Sequence, residues 1–205
     1  MRSDVISFDS LDDHFHQLLL DATSNQHVSV SDETTHYLTS MLVSFSSVDM
    51  LFHEDEEGRR LKPLAIMFCE AHQAESTALR YQGLRQLGDT ALFIAGMFPG
   101  VLRRKPVGLD YYIAMGGSAY SSVSELVERL RIGEGFSGLF TELYKHFPLL
   151  VDVLSEVAEH SNLRSHADLL ELYEQWLQTG SKRMARKLRA AGIEPVDFAR
   201  NRRTH

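Results

Sequence analysis

The stretch DYYIAMGGSAYSSVSELVERL, residues 110–130, decides how this chain folds. Its apolar and small residues recur at three- and four-residue steps, which is the spacing that brings side chains to one face of an α-helix. Asp110 can cap a backbone N–H at the start, and the small residues 116–119 let another backbone approach closely. We therefore expect a long helix near the centre of the fold. Its predicted apolar face holds Leu109, Tyr112, Gly116, Ala119, Val123, Leu126 and Leu130.

The same spacing continues on both sides of this stretch through most of the 205 residues. No alternating apolar–polar run competes with it, and no fixed-period repeat occurs. Ser31 and Pro63 are helix-start signals, and Pro148 is expected to kink or break the helix it interrupts. The pattern predicts an all-α fold, an irregular bundle of seven or eight helices in a single domain. Residues 1–180 form the helical domain, and residues 181–205 form a basic helix and tail packed on it or extending from it.

Two glycines interrupt one of these helical patterns. Gly83 and Gly88 each cost about 1 kcal/mol relative to alanine inside a helix. The favoured interpretation is a break or kink at residues 87–89, after which Asp89 caps a new helix. The alternative is a continuous helix in which the glycines allow a close helix crossing.

Charge is unevenly distributed along the chain. The net charge is −7, but residues 181–205 carry eight Lys and Arg against two acids, while residues 1–180 sum to −13. An acidic body argues against broad nucleic-acid binding and permits a local basic contact. The residues of this basic patch are Lys182, Arg183, Arg186, Lys187, Arg189, Arg200, Arg202 and Arg203.

Cysteine use and hydropathy indicate the cellular environment. Cys69 is the only cysteine, which excludes an internal disulfide and favours a reducing compartment. It follows Phe68 on an apolar face, so we expect it to be a small core residue rather than a nucleophile. The most apolar run, ALFIAGMF at residues 91–98, is far too short to cross a bilayer. These features predict a soluble cytoplasmic protein with a buried helix at residues 91–98 and no membrane contact.

Two segments of the central third resemble a family of uncharacterised bacterial helical proteins of about this length. The first reads LGDTALF at residues 87–93 and continues to Gly96-x-Phe98-Pro99. The second reads YYIAMGGSAY at residues 111–120. The resemblance implies a bacterial helical protein and carries over no functional residue. Packing of glycine and other small residues at helix crossings would produce the same sequence segments.

Three polar residues in these segments are candidates for contact with a ligand or partner. They are Asp89, Tyr112 and Tyr120. Tyr112 lies on the predicted apolar face and needs a partner for its hydroxyl if buried. Asp89 is interpreted as that partner, as an N-cap or as a ligand contact.

Histidine–carboxylate spacing offers two candidate metal sites. His72 and Glu75 lie three residues apart, and Asp152, Glu156 and His160 follow at steps of four, so each group shares one helical face. A ferritin-like site needs two Glu-x-x-His pairs, and only Glu33-x-x-His36 has that form. A solvated polar face would give the same spacing.

The sequence contains no assembled catalytic set, no Gly-x-Ser-x-Gly elbow and no phosphate-binding loop. The leading hypothesis is therefore a non-enzymatic regulatory or protein-interaction protein of the bacterial cytoplasm, with another protein as its partner. One alternative is a helical-bundle metal-binding protein or oxidoreductase that uses the two His–carboxylate clusters. A second is nucleic-acid association through the basic patch. The sequence does not identify a cofactor.

Overall fold

A computed structural model describes residues 8–45, 53–55, 58–60, 62–102, 108–130, 134–161, 172–173, 176, 179–190 and 193. Eight helices of nine or more residues lie in these parts of the chain, together with one four-residue helix. This confirms the predicted all-α bundle. The helices are α1 (Phe8–Asn25), α2 (Asp32–Phe45), α3 (Leu64–Gln73), α4 (Thr77–Met97), α5 (Pro99–Leu102), α6 (Leu109–Leu130), α7 (Glu134–Lys145), α8 (Phe147–His160) and α9 (Lys182–Ala190).

A small β-hairpin lies between α2 and α3, and the helical spacing of the sequence did not predict it. Strands β1 (His53–Asp55) and β2 (Gly58–Arg60) pair antiparallel, with His53 opposite Arg60. Three-residue strands are too short to produce a recognisable alternation in the sequence, so the pattern could not reveal them. The hairpin does not alter the helical architecture.

Helix α4 occupies the centre of the bundle and packs against α3, α6, α8 and α2. Its second half is almost entirely buried, from Leu87 to Met97. Phe93 in this half stacks on Phe45 of α2, with ring centroids 4.6 Å apart. The apolar run at residues 91–98 is thus a buried helical segment, as predicted. No helix in the described part of the chain is long and apolar enough to cross a membrane.

The prediction of a break at residues 87–89 is wrong, because α4 runs through both glycines. A Cβ added at Gly83 would lie 3.0 Å from Cβ of Ala71, and one at Gly88 would lie 2.5 Å from the Tyr120 ring. Each glycine therefore marks a place where a neighbouring helix presses against the α4 backbone. The close helix crossing was the correct alternative, since this packing outweighs the helix-propensity cost of about 1 kcal/mol per glycine.

The chain does break near Pro148, as expected. Helix α7 ends at Lys145, His146 forms a turn, and α8 begins at Phe147 with the proline in its first turn. A proline is tolerated there because the first-turn N–H groups have no partner within the helix. This break directs Phe147 into the core, where it is 1% exposed.

The start of α2 is fixed by both its own cap and a carboxylate from α7. Ser31 Oγ accepts a hydrogen bond from the Thr34 backbone N–H at 3.2 Å. Glu142 accepts from the Ser31 N–H at 3.0 Å, from the Ser31 hydroxyl at 2.5 Å and from the Thr34 hydroxyl. Burial raises the pKa of Glu142, but these hydrogen bonds outweigh burial and leave that pKa below its ordinary value.

We expect Glu142→Gln to lower the free energy of unfolding by about 1 kcal/mol at pH 7, because an amide accepts these bonds less strongly than a carboxylate. A depressed native pKa stabilises the fold above the unfolded value of 4.5 and loses that effect as pH falls through the native value. Urea titrations at pH 7 and pH 3 measure the difference. Glu125→Gln is the control, since Glu125 makes only an exposed 3.9 Å pair with Arg129. An equal loss in both variants would contradict the assignment.

Candidate functional site

Three helices meet at Asp89, which lies in the middle of α4. Its Oδ1 accepts hydrogen bonds from the Tyr37 hydroxyl of α2 and from the Tyr120 hydroxyl of α6, the latter at 2.8 Å. Its Oδ2 lies 4.0 Å from Nε of Arg85, one helical turn earlier. The side chain of Asp89 is 15% exposed and that of Arg85 is 49% exposed. One carboxylate therefore joins α2, α4 and α6, with a partly exposed cation beside it.

The electrostatics of this group are unusual for an aspartate. Burial raises the pKa of Asp89 from 3.8 to about 6, although the two tyrosine hydrogen bonds and the charge of Arg85 pull it down. Burial also raises the pKa of Tyr37 and of Tyr120 above the ordinary value of 10, and the neighbouring carboxylate adds to the rise. Asp89 thus changes charge close to neutral pH, while both tyrosines stay protonated and remain donors.

Asp89 and Tyr37 form part of the wall of a cavity of about 560 Å³. This volume lies within the range of small-molecule sites, which are largely apolar with a few placed polar groups. Met41 and Leu139 are the two apolar side chains among the lining residues, 5% and 8% exposed, and the polar groups come from α2 and α4. The lining residues are Glu33, His36, Tyr37, Ser40, Met41, Ser44, Arg85, Asp89 and Leu139.

Of the three predicted contact residues, the structure brings Asp89 and Tyr120 together. The N-cap interpretation of Asp89 is wrong, because α4 continues on both sides of it. Tyr112 is 8% exposed and packs edge-on to Tyr111, with ring centroids 5.7 Å apart. Sequence reasoning missed Tyr37, which was not among the predicted contact residues. No sequence signal identified it, because a tyrosine at helical spacing among apolar residues is typical of a core residue.

The first predicted metal cluster lies at one end of α3. His72 is exposed and its Nδ1 lies 2.9 Å from the Phe68 carbonyl oxygen, while its ring packs on the Phe68 ring. Glu75 is exposed beyond the end of the helix. Within the residues that the structure describes, no three His, Cys, Asp or Glu side chains converge as ligands for a metal ion.

The second predicted metal cluster lies on α8, facing α1 instead of α3. Glu156 accepts hydrogen bonds from Asn25 and Gln26, both at 2.7 Å. His160 Nδ1 lies 2.9 Å from the Glu156 carbonyl oxygen, and Asp152 is exposed. The structure therefore places Glu156 in a helix-to-helix hydrogen-bond network. Its hydrogen bonds lower the pKa of the carboxyl.

The expectation that Cys69 is a core residue is wrong: the thiol is free and exposed, because only Leu64 and Ala71 of α3 are fully buried.

In the basic patch, Lys182, Arg183, Arg186, Lys187 and Arg189 are exposed on α9. The remaining members, Arg200, Arg202 and Arg203, lie outside the described residues.

No protein-family model, curated protein or solved structure matches this chain. The resemblance of the central segments to bacterial helical proteins therefore stays a prediction. Their glycines and small residues do have a structural role of their own, since Gly88, Gly96 and Gly116 lie at helix crossings.

Proposed function

We propose that this is a non-enzymatic regulatory protein of the bacterial cytoplasm that binds a small amphipathic molecule in the α2–α4–α7 cavity. The observation that carries this proposal is Asp89, a carboxylate placed on the cavity wall by tyrosines from two other helices. A free exposed thiol as the only cysteine supports the reducing compartment. The resemblance of residues 87–99 and 111–120 to bacterial proteins supports the bacterial source.

The chemistry of the lining residues indicates the kind of ligand. The small exposed parts of Met41 and Leu139, together with the Tyr37 ring, offer an apolar surface to the ligand body. Arg85, with half of its side chain exposed, offers guanidinium donors suited to a carboxylate or another acceptor group. We therefore expect a ligand with an apolar body and one acceptor or anionic group.

The polar residues around the cavity are arranged for binding more than for turnover. Oδ1 of Asp89 is held by two protonated tyrosines and its Oδ2 faces Arg85, so the group is already partnered. His36 and Ser40 line the same cavity, yet these two residues share no hydrogen bond of the kind that activates a hydroxyl nucleophile. Acid–base catalysis by Asp89 is the second candidate function, because its pKa of about 6 suits a general base.

Binding at this place would influence the packing of several helices. The cavity is walled by α2, α4 and α7, and Asp89 connects α2 and α4 to α6. A ligand shifts a conformational equilibrium only when it binds one arrangement better than another. An occupant that touches Arg85 competes with Asp89 for the guanidinium and so acts directly on this junction. This coupling is the regulatory step that we propose.

The proposal predicts that at least one amphipathic carboxylate from a metabolite panel raises the melting temperature of the full-length protein. At a ligand concentration of 100 times Kd, binding adds about 2.7 kcal/mol, which corresponds to roughly 5–10 °C for a chain of this size. Thermal-shift measurements, followed by calorimetric titration of the hits, test this. Ser40→Trp places a large ring in the cavity mouth and should remove the shift.

Ala114→Trp is the matched control, because Ala114 is exposed on α6 and does not line the cavity. It should keep the full ligand response. An equal response in wild type and Ser40→Trp would place the ligand elsewhere, and a panel without any response would contradict the proposal. Conversion of a bound compound to product would favour the acid–base enzyme instead.

A further inference from the structure

Helix α9 has two opposite faces of different chemistry. Its buried residues are Ala185 and Leu188, at 7% and 0% exposure. Lys182, Arg183, Arg186 and Lys187 are all exposed. At 100° per residue these four cations cover an arc of about 140° on the side opposite the buried pair. The helix is thus seated on the body by its apolar side and presents its charge to solvent.

The basic side is not neutralised by the part of the chain that the structure describes. Among those residues, the ion pairs lie elsewhere, at Lys62–Glu70, Arg85–Asp89 and Arg129–Glu125. The sequence left open whether the basic end packs on the helical domain or extends from it. In the structure α9 is seated by the buried side chains of Ala185 and Leu188, and within the described residues its four exposed cations form no ion pair.

The surroundings of α9 exclude two kinds of partner. A membrane-surface helix inserts its apolar face into lipid, but the apolar face of α9 is already buried in the protein. An anionic membrane surface lying flat against α9 would also approach the rest of the protein. Residues 1–180 carry a net charge of −13, which repels such a surface. A protein interface has aromatic or aliphatic anchors and is depleted in lysine. The exposed side of α9 has no such anchor.

We propose that the basic face of α9 binds the phosphate backbone of B-form DNA. Duplex DNA carries about one negative charge per 1.7 Å of axis, so the 13.5 Å length expected for nine helical residues spans about eight phosphates. A duplex is a narrow rod and contacts this face without approaching the whole acidic body. The major groove of B-form DNA, about 12 Å wide, also admits the width of a helix, whereas that of duplex RNA is narrow and deep.

The experiment measures fluorescence anisotropy of a labelled 20-base-pair DNA duplex with the full-length protein at 50–200 mM salt. Four phosphate contacts predict a slope of log K against log salt of about −3.6. The double variant Arg186→Gln/Lys187→Gln should reduce that slope to about −1.8 and weaken binding at 50 mM salt at least tenfold. Both side chains are exposed, and circular dichroism confirms that the helices persist.

The matched control is Arg129→Gln/Lys145→Gln, which removes two exposed cations from α6 and α7 and changes net charge equally. It should bind DNA within twofold of wild type. The inference is overturned if the protein does not bind the duplex at 50 mM salt, if both double variants lose affinity equally, or if duplex RNA of the same sequence binds as tightly. Stronger binding to vesicles containing phosphatidylserine would also overturn it. None of these results bears on the cavity proposal.

Discussion

Gly116→Ala is expected to lower the melting temperature by roughly 4–8 °C, whereas Gly117→Ala, one residue later, should raise it by a few degrees. A Cβ at Gly116 would overlap the Phe147 ring and lie 2.8 Å from Cβ of Ala91. Phe147 is 1% exposed and Ala91 is fully buried, so neither can move aside cheaply. Because the Phe147 ring already occupies the place of this Cβ, we expect a cost of about 3 kcal/mol, the upper end of the usual range for overpacking. The helix-propensity gain of about 1 kcal/mol leaves a net loss of about 2 kcal/mol.

Gly117 is the internal control because nothing lies within 4 Å of a Cβ built there. Alanine at this position keeps the propensity gain of about 0.5–1 kcal/mol without any clash. Differential scanning calorimetry of both variants at pH 7 measures the two shifts, at roughly 2–4 °C per kcal/mol for this chain length. Equal stabilisation by both substitutions would mean that α6 does not cross α4 and α8 at Gly116.

These adjacent glycines show how far the sequence predicts the fold. The three- and four-residue spacing was sufficient to place the helices, because each must bury one apolar stripe. It could not show which helix faces which. Gly88 predicted a helix break, yet α4 continues through it, and the Tyr120 ring occupies the space that a side chain at residue 88 would need. Whether a glycine ends a helix or permits a crossing depends on the neighbour, which lies 32 residues away in the chain.

The candidate site was predictable only in part for the same reason. Asp89 and Tyr120 could be singled out because a polar side chain within an apolar segment requires a partner. Tyr37 could not be singled out, because a tyrosine among the apolar residues of a helix is typical of the core. The sequence does not show which group accepts a hydrogen bond from its hydroxyl. Cys69 was misassigned because a helix of ten residues that packs mainly on α4 buries only a narrow stripe. Single-helix patterns do not give the width of the buried face.

Asp89→Asn is expected to make the protein more stable than wild type at pH 8, and the advantage should disappear near pH 4. Burial raises the pKa of Asp89 from 3.8 to about 6, so between these values the native state binds the proton that the unfolded state has released. Stability therefore falls as pH rises through this window. The rise in pKa corresponds to about 3 kcal/mol, while the amide oxygen of asparagine still accepts from Tyr37 and Tyr120.

The measurement is the difference in unfolding free energy between Asp89→Asn and wild type, from urea titrations at pH 4, 6 and 8. Glu142 and Glu156, whose lowered pKa values make stability increase with pH, contribute equally to both proteins and cancel. Asp89→Leu should be less stable than Asp89→Asn by about 2–4 kcal/mol at every pH. It leaves two hydroxyls without their acceptor, one of them on the fully buried Tyr120. A difference independent of pH would contradict the assignment.

This pH dependence also bears on function. An amide at residue 89 would join the three helices without the cost of a buried charge, so the carboxylate is not the most stable choice for a structural role. Residues that reduce stability in this way are typical of functional sites. If the charge of Asp89 determines how strongly Arg85 can bind a ligand, two results are expected. Asp89→Asn should be more stable than wild type, and it should bind the ligand with a different affinity. A variant that gains stability and binds the same ligand unchanged would assign Asp89 to packing alone.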